Sequence, residues 1–173
     1  MYDFKEIFAQ FQLYGNFVIA VPYGTGHIND TYLLTADQGG ALVRYIVQRV
    51  NTDIFRKPAA LMDNFVAVTR HIDQKIRQAK VQNPALRRRT LQVVFARDGK
   101  PYLENAAGFF RCYCFVENAR TYDILETPEQ AWQAAYAFGQ FQSDLADLPV
   151  RLHETIPDFH NTLARLAQLE AAI

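Results

Sequence analysis

Between two apolar, strand-like runs lies Tyr23-Gly24-Thr25-Gly26-His27-Ile28-Asn29-Asp30, a loop whose residue types suit the binding of an anion. Two glycines flank one small hydroxyl residue, so backbone N–H groups can turn toward a single point without a Cβ in the way. A concave set of N–H groups is an anion site, commonly for phosphate. Phe17-Val18-Ile19-Ala20-Val21 leads in, and Thr31-Tyr32-Leu33-Leu34-Thr35 leads out. Dinucleotide and Walker loops run instead into a helix, whose N-terminus carries the phosphate. A loop that returns into a β-branched and aromatic strand is a hairpin lid. The competing reading is an ordinary structural hairpin turn, since Gly-x-Gly alone is a weak signal.

A phosphate lid calls for a cation close by, and the next segment supplies candidates. Ala41 to Val50 reads as a third strand, with Val43, Tyr45, Val47 and Arg49 on one face. Its cations are Arg44 and Arg49, on opposite faces by parity, and it has no lysine. Metal chemistry finds little support: His27, His71, His153 and His160 show no ligand spacing.

The elements that must position these residues follow from local signals. Asp3-x-x-Glu6 resembles a capping box, and Phe4, Ile7, Phe8 and Phe11 recur at helical spacing, so a short helix is expected near residues 3–12. Asp37-Gln38-Gly39-Gly40 is a turn. Pro58 suits the first turn of a long helix, whose stripe Leu61, Met62, Phe65, Val68, Thr69, Ile72 and Ile76 runs to about Lys80. Val81 to Arg89 is a basic loop. Leu91 to Ala96 is a fourth strand, Asp98-Gly99 a hairpin turn, Pro101 to Glu104 a return, and Phe109 to Val116 a further apolar strand. Glu117 to Thr121 reads as a connector. Thr127-Pro128-Glu129-Gln130 then starts a helix with Trp132, Ala135, Phe138, Gly139 and Leu145 on one side. Pro157 is expected to open a last helix carrying Leu163, Leu166 and Leu169.

Composition bounds the function. A chain of 173 residues, half hydrophobic and 13% aromatic, can bury a proper core. Lys+Arg and Asp+Glu both total 18, so no overall field argues for nucleic acid or a membrane surface as partner. The N-terminus lacks the basic and apolar regions of a signal peptide, and no apolar run is long enough to span a bilayer. Cys112 and Cys114 lie two apart on one strand, facing one way, as reduced core thiols of a cytoplasmic protein. The tract around Arg87-Arg88-Arg89 has no interleaved aromatics and reads as a solvated loop.

The order of elements, and four segments within it, resemble the aminoglycoside/choline kinase-like phosphotransferases, and among them most the N-acetylhexosamine 1-kinases. The segments are Gly24 to Tyr32, Gln48 to Phe55, Met62-Asp63-Asn64, and Glu154 to His160. The resemblance implies an α+β fold: a protein kinase-like small lobe, an antiparallel sheet with one long helix over residues 1–117, then hinge and first helices of a large lobe over 118–173. It also implies transfer of the γ-phosphoryl of ATP, with Mg²⁺, to the anomeric hydroxyl of a small sugar acceptor.

By this resemblance Gly24, Thr25 and Gly26 cover the ATP phosphates, and His27 and Asn29 belong to the substrate side. His27 has a plain surface-loop alternative, and Asn29 and Asp30 can serve by Asx hydrogen bonds, with Asp30 structural. Kinases place a lysine on the third strand to hold the α/β-phosphates. Here Arg49 takes that role, with Gln48 its rival for the position. The long helix has no glutamate to match it, leaving Asp63 and Asp73. Phe115 and Glu117 stand at the hinge beside the adenine, with Phe115 and Val116 equally readable as core. Pro157-Asp158-Phe159-His160 reads either as part of a sugar pocket or as a capped helix start.

No His-x-Asp…Asn loop followed by an Asp-bearing metal strand occurs, so catalytic base and Mg²⁺ ligands are expected in residues outside this sequence. The expectation is an N-terminal half of a sugar kinase, inactive alone, that self-associates or pairs with a C-terminal lobe through the apolar faces of its last two helices. Alternatives are a nucleotide-binding or dimerising remnant without catalysis, and a kinase of another small alcohol such as an aminoglycoside, choline or homoserine.

Overall fold

The computed structural model describes residues 2–79, 90–122 and 124–173. Lys80, Arg87, Arg88 and Arg89 lie outside the described residues, as does the whole of the expected basic loop. The fold is α+β. A six-stranded antiparallel sheet consists of β1 (Asn16–Pro22), β2 (Asp30–Gln38), β3 (Ala41–Arg49), β4 (Val93–Val94), β5 (Leu103–Asn105) and β6 (Gly108–Cys114). The described helices are α1 (Phe4–Gln10), α2 (Pro58–Gln78), α3 (Pro128–Leu145) and α4 (Thr162–Ala172). None of them is long and apolar enough to cross a membrane.

β1, β2 and β3 form a meander, and β6 joins the free side of β3. The far side of β6 is shared end to end by β4 and β5. The Asp98-Gly99 turn forms as expected, with Gly99 at φ 84° and the Ala96 N–H bonded to Lys100 O at 2.8 Å. The fourth strand is shorter than its expected span of Leu91 to Ala96. The cause lies at the end of α1: Gln12 N–H bonds Phe95 O and Arg97 N–H bonds Gln10 O, both at 2.8 Å. Beyond Val94 the backbone therefore takes its partners from the α1 terminus, with Phe11 bridged to Ala96.

Strand alternation gives the sheet two different faces. One is closed by α1, which Asp3 caps by accepting from Glu6 N–H at 2.9 Å. Ile7, Phe8 and Phe11 pack there on Leu34, Ala36, Tyr45, Val47, Phe110 and Cys112. Both cysteines are free, and burial pushes their thiols up, that of Cys112 furthest. Phe110 is 0% exposed and its ring meets Tyr2 edge-on at 5.5 Å. Phe110→Ala is expected to cost about 3–5 kcal/mol, read as a lowered urea midpoint, because it removes a fully buried ring from the core. A loss under about 1 kcal/mol would mean that this core is not the one holding the sheet.

The other face is only half covered. α2 begins at Pro58 and lays Met62, Leu61 and Phe65 on Phe109, Val93 and Tyr102, at the β6–β4 side. Over β1 the same face stays open, with Ile19 50% and Val21 38% exposed. Thr127 caps α3 in a full capping box with Gln130. Pro157 does not open the last helix: Asn161 caps α4 by accepting from Ala164 N–H at 3.1 Å. Asp158, at φ 55°, turns the chain before that point. Neither α3 nor α4 buries a residue, and Trp132, Phe138, Leu163, Leu166 and Leu169 are all exposed.

Candidate functional site

The glycine run is the loop of a β-hairpin. β1 and β2 pair from Asn16↔Asp37 to Pro22↔Tyr32, and Tyr23 N–H continues the ladder to Thr31 O at 2.9 Å. Gly24 turns the chain at φ 82°, and a Cβ at Gly24 or Gly26 would meet no atom within 4 Å. The loop therefore stands clear of the protein, with His27 exposed on it. Asn29 reaches past a local Asx turn: its Oδ1 accepts the N–H of Asn51, just past β3, at 2.9 Å. This clips the loop exit to the end of the third strand.

Register decides which residues can face a ligand beneath this loop. Thr31, Gln48 and Arg111 form one row across β2, β3 and β6, on the half-open face. The Gln48 amide donates to Thr31 Oγ1 at 2.8 Å, and its Oε1 accepts from Arg111 Nε at 2.8 Å. The Arg111 guanidinium lies 5.0 Å from the centre of the Phe65 ring on α2. Burial lowers the pKa of this guanidinium from its ordinary value, against the influence of Tyr113. Among the described residues no carboxylate forms an ion pair with it.

Arg49 belongs to the opposite face. It pairs with Asp30 at 3.6 Å, bonds Ala107 O at 3.4 Å and lies 5.9 Å from the Tyr2 ring. Asp30 also accepts from the Tyr2 hydroxyl at 3.2 Å, so its partners are Tyr2 and Arg49 in place of the expected Asx bond within the loop. Arg49 and Gln48 thus do not converge: Gln48 lies in the polar row on the loop's side, and Arg49 on the other face. Neither helix acid completes an ion pair with a strand cation. Asp73 bonds Arg77 at 2.6 Å, one turn along α2, and Asp63 lies 3.8 Å from His153 Nε2.

The connector end of the same face is aromatic. The Tyr23 ring meets the Phe115 ring edge-on at 5.6 Å, and the Arg44 guanidinium stands 4.3 Å from the centre of Phe115. Phe115 N–H is already bonded to Arg44 O at 3.2 Å. At this position the side chain, and not the amide, is left to shape a slot. Arg44 grips Glu117 through both carboxylate oxygens, with Nε–Oε1 at 2.9 Å, and holds that carboxyl below the usual glutamate range. A depressed folded pKa means that the tie is complete above the ordinary glutamate value and is lost as pH falls through the depressed one. The Phe115 amide is expected to keep constant hydrogen-exchange protection down to about pH 5 and to lose it under more acid conditions. Glu117→Gln should show the weaker protection at every pH. Equal protection in both proteins across the range would show that the connector does not depend on this pair.

The remaining segments meet at the loop-exit end. Asn64 on α2 exchanges two 2.8 Å hydrogen bonds with the backbone of His153. Asp53, Ile54, Arg56 and Lys57 face Glu154, Thr155, Ile156 and Pro157 across a cavity of about 490 Å³. Asp158, Phe159 and His160 are exposed in the turn beyond it. Farther back, His71 Nε2 lies 3.1 Å from both Asp144 O and Asp147 Oδ1, and Lys75 donates to the same two residues. Both atoms facing His71 are acceptors, so Nε2 carries the proton, and the cluster fastens α2 to the end of α3.

Chemically, the connector end offers the aromatic side chains of Tyr23 and Phe115, and the loop end offers the polar side chains of Thr31, Gln48 and Arg111. Among the described residues no group of His, Cys, Asp or Glu side chains is placed to hold a metal ion. Arg111 could not be found from local sequence, because it sits inside the apolar run Phe109 to Val116 and gains its meaning only from the β3–β6 register. Compared with the profiles of known protein families, the chain matches none, so the four segments and their geometry stand as the grounds for a functional reading.

Proposed function

We propose that this chain is the nucleotide-binding lobe of an ATP-dependent phosphotransferase that acts on a small sugar, with an N-acetylhexosamine as the acceptor suggested by resemblance. One observation carries the reading: segments far apart in sequence, matched for their likeness to such kinases, meet at one end of the sheet. Asn29 bonds Asn51, Asn64 bonds His153, the residue before Glu154, and Asp53 and Ile54 share a cavity with residues 154–157. An assortment of chance matches has no reason to converge. The adenine would lie over Val21 and Leu33 against Phe115, and the phosphates under Gly24, Thr25 and Gly26. The acceptor would enter beside Glu154 to Pro157. ATP supplies the transferred phosphoryl group, and this chain's own part is to bind and orient it. The chain contains no His-x-Asp…Asn loop, so the purified protein is not expected to phosphorylate N-acetylglucosamine.

Calorimetric titration with ATP tests the reading. Saturable binding that is lost in Gly26→Val supports it. No heat and no thermal shift at millimolar ATP would overturn it in favour of a fold that pairs with a partner and binds no nucleotide.

A further inference from the structure

Three features outside the loop could carry a ligand or a partner. The exposed apolar residues of α3 and α4 lack anything that identifies what covers them. The cavity beside Glu154 to Pro157 has Asp53, Arg56, Lys57 and Glu154 around it, and this mixed charge selects no ligand class. The third is the Thr31–Gln48–Arg111 row, where the chemistry is specific.

We infer that Arg111, aimed by Gln48 and backed by Phe65, is the group that grips the polyphosphate on the open sheet face. The inference rests on the nucleotide reading above and names the cation for it. Several observations converge. Arg111 is partly buried, yet none of the described carboxylates balances its charge, which meets only the Gln48 amide oxygen and the Phe65 ring among the described residues. An anion with paired oxygens removes that cost, and a guanidinium fork fits phosphate in two parallel hydrogen bonds. The Nε–H is the one edge already used, on Gln48. No buried side-chain nitrogen in the described protein lacks a partner, so the Nη groups, which bond no described acceptor, reach solvent. Gln48 is in turn fixed by Thr31, two residues beyond Asn29 at the exit of the glycine loop. The fork is therefore held on the loop's side of the sheet before any ligand arrives.

The other strand cations are committed elsewhere. Arg49 is on the opposite face with Asp30, and Arg44 is bound to Glu117 at the connector. Kinases place a lysine on the third strand and pair it with a helix glutamate. Here an arginine one strand over is positioned by an amide and an aromatic ring. This accounts for a long helix that presents Phe65, and no acid, to the cation.

The test compares ATP, adenosine and inorganic tripolyphosphate as ligands of the full chain, by calorimetry and thermal shift without metal. The variants are Arg111→Met, Arg111→Lys and Gln48→Leu, each checked for wild-type circular dichroism. Wild type is expected to bind ATP and tripolyphosphate. Arg111→Met should weaken both about tenfold to a hundredfold and leave adenosine within about twofold. Arg111→Lys should recover part of the loss, and Gln48→Leu should give an intermediate weakening by freeing the fork. ATP binding that is unchanged in Arg111→Met, with adenosine also bound, overturns this inference and leaves the nucleotide reading intact. Arg111-dependent tripolyphosphate binding without any adenosine binding does the reverse. Should Arg111→Met fail to fold, full tripolyphosphate affinity in Arg111→Lys and Gln48→Leu together would count against the clamp. A wild-type chain that binds neither anion overturns it outright.

Discussion

Gly15→Ala is expected to destabilise the protein by about 3 kcal/mol or more, lowering Tm by roughly 10 °C. The position combines two penalties. Gly15 has φ 88°, where a side chain is strained, and a Cβ there would lie 2.2 Å from the backbone oxygen of Asp37. Asp37 pairs with Asn16 in the first rung of the β1–β2 ladder, so the clash can be relieved only by parting these strands. The neighbouring turn supplies the control. Gly39 has φ 69° but open space around its missing Cβ, so Gly39→Ala carries the backbone strain alone, about 1 kcal/mol. Thermal melts of the two variants separate the terms. Equal Tm values would mean that the Gly15–Asp37 contact is slack and that conformation alone governs both sites.

Gly26→Val is expected to abolish ATP binding at millimolar ligand while moving Tm by no more than about 2 °C. The glycine has no positive φ, and its missing Cβ faces empty space, so the folded chain gives no reason for valine to be destabilising. A ligand resting on the loop backbone would give one, since close approach of N–H groups to phosphate tolerates no branched side chain. Binding lost together with stability would point to a merely structural turn. Undiminished ATP affinity at wild-type Tm would place the nucleotide elsewhere or nowhere.

Local signals foretold local structure well. The Asp3 and Thr127 caps, Pro58 at the start of α2, the Asp98-Gly99 turn and the glycine hairpin all lie within a few residues of the atoms they bond. What failed depends on pieces distant in sequence. Parity places Arg44 and Arg49 on opposite faces, but which face α1 closes and which α2 half covers depends on packing that no local window contains. The brevity of β4 reflects competition from the end of α1 for the backbone of Phe95 and Arg97, which no window around Val93 contains. Likewise Pro157 carried a helix-start signal, but the left-handed Asp158 and the stronger cap at Asn161 moved the start to Thr162. The stripe through Trp132 and Phe138 is helical, as its spacing predicts, and it faces solvent in the folded chain.

The place of β6 beside β3 has a kinetic meaning. β1, β2 and β3 are joined by short loops and can pair as soon as they are made, whereas β6 reaches β3 only after α2 and two further strands have been laid down. Closing so large a loop is costly in chain entropy and slow. Thr31 and Gln48 come from the early part, and Arg111 from the late one. A molecule held between the glycine loop and Arg111 would therefore span both, and would stabilise the completed sheet by mass action beyond what either part has alone. Its release through fraying of the hairpin and its release through detachment of β6 would be separate events. Amide exchange in β6, and not only in the loop, would slow when it binds.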